Sequence, residues 1–152
     1  MLRLALLMMA MVLPVASAAG RVGELDVRSG NNAAPCFTLS EREEKRSGAP
    51  QFVSITVSEA GAYAAMWTMA MPKGRTFTLA PFMCVPYGGR PPVLPQTPAS
   101  TLQAGKPYEV VVNALPARPG APRHYRARFC VAGRGDTASV TLLPAGRASC
   151  PR

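Results

Sequence analysis

The 152 residues carry 17 basic and 8 acidic side chains, a formal charge of +9, with 48% hydrophobic and 16% charged residues. That mixture is too apolar for a disordered chain and too poorly charged for a coiled coil, and its length fits one domain. A single histidine, His124, and only two aspartates, Asp26 and Asp136, exclude most histidine-based metal sites and most histidine-assisted nucleophiles.

Residues 1–18 read as an export signal. Arg3 supplies the positive start, Leu4 to Val15 is apolar and uncharged, and Ala16-Ser17-Ala18 gives the small-x-small pattern of a cleavage site. The apolar run is interrupted by Pro14 and is too short to span about 30 Å of hydrocarbon. Cleavage is therefore expected after Ala18 or one residue later. The mature chain, residues 19–152, is expected to be one soluble domain outside the cytoplasm, without a membrane span.

Beyond the signal, short alternating segments follow one another. Glu24–Arg28 and Pro35–Leu39 are brief strand candidates. Ser40-Glu41-Arg42-Glu43 fits either a capping box opening one helical turn through Lys45 or a solvated charged loop. In Gln51–Ser58, Val53, Ile55 and Val57 share one face and Ser54, Thr56 and Ser58 the other. Ala62–Met71 is rich in helix formers but lacks a sharp helical stripe. Read as a strand, it places Tyr63, Ala65, Trp67, Met69 and Met71 together, and we favour that reading. Thr76–Ala80 and Met83–Tyr87 are shorter candidates. Pro86–Pro107, with Pro91, Pro92, Pro95 and Pro98, predicts an extended connection. Tyr108, Val110 and Val112 alternate with polar neighbours, as do Tyr125, Ala127, Phe129 and Val131. Ala138, Val140 and Leu142 repeat the pattern after a turn at Gly133–Asp136. Eight or nine such strands point to an all-β fold, an antiparallel immunoglobulin-like β-sandwich.

Cys36, Cys84, Cys130 and Cys150 are an even set in an exported chain and predict two disulfides. Three pairings are open. Cys130 lies on the face of Arg126 and Arg128, and Cys36 opposes Phe37 and Leu39, so neither fits an inter-sheet core bridge. Cys150 follows the last strand closely, which favours 130–150 and leaves 36–84. The spacing lacks the paired knuckles of a thiolate metal site.

The candidates for chemistry are few. His124, Ser139 and Asp136 are the one conceivable nucleophile set, and no strained elbow surrounds Ser139. Glu41, Glu43 and Glu44 share a run with Arg42, Lys45 and Arg46 and read as a solvated face. Met66, Met69 and Met71 offer soft thioethers to Cu(I), but core packing around Trp67 accounts for them better. Arg134-Gly135-Asp136 reads as a turn. No enzyme, metal site or cofactor is expected. From Leu115 to Arg152, seven arginines face one acid, Asp136, a field that accelerates encounter with an acidic partner. Aromatics are not interleaved with these cations as nucleic-acid binding would need.

The order of motifs resembles the small exported immunity proteins associated with bacterial type VI secretion systems, many of them lipoproteins. It is carried by Pro35-Cys36-Phe37-Thr38-Leu39, Ile55-Thr56-Val57, Met66-Trp67, Cys84-Val85-Pro86-Tyr87-Gly88, Leu102-x-x-Gly105-x-x-Tyr108-x-Val110 and Tyr125-Arg126-Ala127-Arg128-Phe129-Cys130. A lipobox cysteine is missing, so tethering is not carried over. The resemblance implies a periplasmic binder that neutralises a toxic effector and has no catalytic residues. Loops on a rigid scaffold are the expected contact surface, with Arg90, Arg118 and Arg123 as partner-binding residues. Binding of anionic envelope polymers and copper handling are the alternatives.

Overall fold

Period-two alternation becomes strand through most of the chain. A computed structural model of the protein describes residues 20–31, 34–89, 94–133 and 137–151. Within them lie β1 (Gly23–Ser29), β2 (Pro35–Leu39), α1 (Glu41–Ser47), β3 (Gln51–Glu59), β4 (Ala65–Ala70), β5 (Phe77–Thr78), β6 (Val85–Pro86), β7 (Pro107–Leu115), β8 (His124–Ala132) and β9 (Ser139–Leu143). The expected signal sequence, Arg90 and the Arg134-Gly135-Asp136 turn lie outside the described residues. No helix among those described is long and apolar enough to cross a membrane.

The all-β expectation is met by one mixed sheet in the order β4-β3-β7-β8-β1-β2-β6, with β5 added to β3 and β9 to β8. One pairing is not antiparallel. β1 runs parallel to β8 at Gly23 and Glu24, then leaves it to pair antiparallel with β2 from Leu25↔Leu39 to Ser29↔Pro35. Gly23 permits this crossing because its backbone lies against the Tyr125 ring, where a Cβ would overlap ring carbons.

The sheet curls until its two ends face each other. Phe37 of β2 stacks on Trp67 of β4 with ring centroids 6.5 Å apart, and its other neighbour is Phe129 of β8 at 5.5 Å. Tyr108 joins Phe129 at 5.6 Å, and Tyr87 meets Trp67 edge-on at 5.4 Å. Trp67, Phe37, Phe129, Tyr108, Leu39, Ile55, Val57 and Val110 are fully buried around these contacts. Offset and tilted ring pairs of this kind each contribute about 0.5–1.5 kcal/mol beyond area burial.

The strand reading of residues 62–71 holds for Ala65–Ala70, with Trp67 and Met69 inward; Tyr63 precedes the strand and is fully exposed. Two expected faces shift. In β3 the register slips between Phe52 and Ser54, so Val53 falls at a bulge and Phe52 takes the core position ahead of Ile55 and Val57. At the end of β9, Leu142 is 43% exposed and Leu143 is buried instead. The proline-rich connection has a structural task. Residues 95–100 run along the outer edge of β4, where Ala70 N donates to Pro95 O (2.9 Å), Thr97 N to Thr68 O (2.9 Å) and Ser100 N to Met66 O (3.0 Å). An edge strand is thereby covered by a segment whose prolines cannot extend the ladder.

Both favoured disulfides form. Cys36–Cys84 holds β2 to the segment that covers its outer face, with Cα atoms 5.5 Å apart, and Cys130–Cys150 holds the C-terminal tail to β8 at 5.8 Å. On the same outer face, Thr38 donates its hydroxyl to Ala80 O (3.0 Å).

Candidate functional site

The charged run after β2 is where local sequence rules build the least expected feature. Ser40 caps α1, its hydroxyl accepting from Glu43 N at 3.1 Å, and Gly48 N closes the other end on Glu44 O at 2.7 Å. Helical spacing puts Glu43 and Ser47 on one face, and that face is buried: Glu43 is 0% exposed. The expectation of a solvated run is therefore corrected at Glu43. Its carboxylate accepts from Arg21 Nη1 (2.9 Å) and Nη2 (2.5 Å), from Ser47 Oγ (2.6 Å) and from Glu24 N (3.2 Å). The Arg21 hydrogen bonds hold the Glu43 pKa down at about 2, against the opposing cost of burial. Arg21 is in turn raised, first by the same bond. The Tyr125 hydroxyl is buried without a hydrogen-bond partner among the described residues, and burial first, then the Glu43 charge, raises its pKa. This cluster pins α1 to the start of β1.

What α1 presents outward is cationic. Lys45 and Arg46 are exposed in its last turn, where positive charge complements the helix dipole. The β7–β8 loop docks beside them. Arg118 donates from its guanidinium to the Arg46 carbonyl, and Ala117 packs on Gly48. Arg118 O accepts from Ala121 N (3.1 Å) in a turn, and Arg123 O accepts from Ala114 N (2.9 Å) to close the loop. Arg118 and Arg123, both expected in the partner-binding set, are thus exposed on one loop next to Lys45 and Arg46. None of these four cations is in an ion pair within the described residues.

The remaining candidates separate. Arg126 and Arg128 share Glu109 of β7 at 3.7 and 3.0 Å, so one carboxylate offsets part of the charge of two of the seven C-terminal arginines. His124 bonds Asn113 through Nδ1 at 2.8 Å, and Asn113 donates to Ser54 Oγ at 2.9 Å. Ser139 pairs with Ala132 at the far end of β8 from His124, about 26 Å away along a strand rising about 3.3 Å per residue. The structure does not bring this hydroxyl and imidazole together. Among the described residues there is no group of three or more His, Cys, Asp or Glu able to hold a metal ion. Sequence reasoning missed Arg21 altogether and placed Glu43 in solvent; the four-residue spacing of Glu43 and Ser47 behind a Ser cap was the available signal.

No known protein family, curated protein or solved structure matches the chain.

Proposed function

We propose that this is an exported binding protein of the type VI immunity kind, which neutralises a toxic effector in the periplasm by direct contact and carries out no chemistry of its own. The observation that carries the reading is the basic corner: Arg118, Arg123, Lys45 and Arg46, exposed and in no ion pair among the described residues, on a loop and helix end that are both fixed from behind. Fixed cations lose little freedom when a partner docks, and they accelerate encounter with an acidic surface. The ordered motifs at Pro35–Leu39, Cys84–Gly88 and Tyr125–Cys130 support the resemblance, and the two disulfides fit an oxidising compartment reached through the signal at residues 1–18. For the fold we infer an immunoglobulin-like sandwich opened along one side, with β1, β2 and β6 layered on β3, β7 and β8; the Phe37–Phe129 contact across the interior supports it.

The product of the adjacent toxin gene tests the reading. It should co-purify with this protein, and cells lacking the protein should die when the toxin enters their periplasm. Deletion cells that tolerate the toxin would end the proposal. The same corner supports a second reading, capture of an anionic envelope polymer. That reading requires binding to isolated polymer that weakens steeply with salt.

A further inference from the structure

The segment carrying Cys84 lines one wall of an open pocket of about 260 Å³. Met69 and Met71 reach it from the end of β4 and Met83 from the segment before β6. Three of the four methionines after residue 19 therefore line one cavity, and Met66, on the opposite face of β4, does not. The rest of the lining is Cys84, tied in its disulfide, together with Gly89 and apolar side chains; among the described residues no nitrogen- or oxygen-bearing side chain takes part. Gly89, at φ +23°, lets the backbone close over the sulfur. A Cβ there would come within 3.2 Å of Met69 Sδ and 3.1 Å of Trp67 Cζ2. The Met69 sulfur consequently lies no more than about 6 Å from that indole carbon, the range over which a cation and an aromatic ring attract.

We propose that this pocket is a soft-metal site in which the thioethers of Met69, Met71 and Met83 hold one Cu(I). Thioethers select soft ions, and no side chain among the described lining residues serves a hard or borderline cation such as Mg²⁺, Ca²⁺ or Zn²⁺. A neutral ligand set in an apolar cavity also suits a monovalent ion, because the cost of burying charge climbs steeply with its magnitude. All four cysteines are in disulfides, so no thiolate competes. The site departs from the sequence expectation, which grouped Met66 with Met69 and Met71 and assigned all three to packing. It goes beyond the inhibitor reading and does not depend on it.

Trp67 is the one tryptophan in the chain and stands beside Met69, so it reports occupancy directly. The oxidised protein is titrated anaerobically against the Cu(I)–bicinchoninate complex while chelator absorbance and Trp67 emission are followed. Wild type should withdraw one equivalent and lose emission in parallel. The Met69→Leu/Met71→Leu/Met83→Leu variant should do neither, and Met66→Leu should behave as wild type. If the triple variant fails to fold by circular dichroism, the half-buried Met71→Leu and Met83→Leu taken singly should each weaken uptake. No withdrawal by wild type, or equal uptake by a folded variant, overturns the site and means that the methionines only fill space.

Discussion

Between β2 and β4 the protein is held by rings: Phe37 lies against Trp67 and Phe129, and Tyr108 and Tyr87 extend the cluster without a buried charge among them. At the α1 corner it is held by one buried carboxylate with hydrogen bonds from Arg21, Ser47 and the backbone of Glu24. The first region draws its stability from apolar burial, which is indifferent to pH. The second stakes a surface element on a single ionised group, and the exposed cations Lys45 and Arg46 sit on that element. Acid therefore should loosen the α1 corner before it touches the interior.

The largest effect should come from the interior. Phe37→Ala opens a cavity beneath both Trp67 and Phe129 and should cost about 4 kcal/mol by denaturant unfolding, with the same loss at pH 7 and pH 3. The covalent staples come next. On chain-entropy grounds, replacing Cys36 and Cys84 by Ala removes a 48-residue closure and should cost about 4 kcal/mol, against about 3 kcal/mol for the 20-residue closure of Cys130 and Cys150. Thermal or urea unfolding of the two double variants checks both the sizes and their order.

Glu43→Gln sharpens the contrast. It leaves Arg21 without its counter-charge and should cost about 3 kcal/mol at pH 7. In the wild type the carboxyl is held at about 2, below the ordinary 4.5, so its stabilising contribution is complete above about pH 4.5 and is lost as pH falls through 2. A plot of stability against pH should show this acid limb in wild type and a flatter one in Glu43→Gln. Coincident limbs would assign the corner's stability elsewhere. The smallest effect belongs to Arg118→Ala, which removes a donor from the end of α1 and should cost at most about 1 kcal/mol, measured by the same unfolding series.

Much of the interior was legible because alternation is a local signal: Tyr108, Val110 and Val112, and Tyr125, Ala127 and Phe129, all lie where their phase puts them. The disulfide pairing followed from the same phases. The failures are long-range or depend on one inserted residue. Nothing near Val53 announces a bulge, yet it passes the core position to Phe52. Glu43 looks like its charged neighbours until Arg21, 22 residues earlier, arrives beside it. Gln51–Glu59 and Ala65–Ala70 could be read as strands, but the cover that residues 95–100 lay along the β4 edge rests on backbone bonds that composition does not show. Of the four exposed cations at the basic corner, Arg118 and Arg123 were singled out by charge and loop chemistry. Lys45 and Arg46 were not, because their link to that loop runs through the backbone carbonyl of Arg46.

The central claim is that the basic corner captures an acidic toxin. Its most direct test is the association rate between the purified product of the adjacent toxin gene and either wild type or Arg118→Glu/Arg123→Glu, followed by stopped flow at low and at physiological salt. Reversal should slow association by at least about tenfold at low salt, with the difference shrinking as salt screens it, while dissociation changes little. Equal association rates at both salt concentrations would contradict the account.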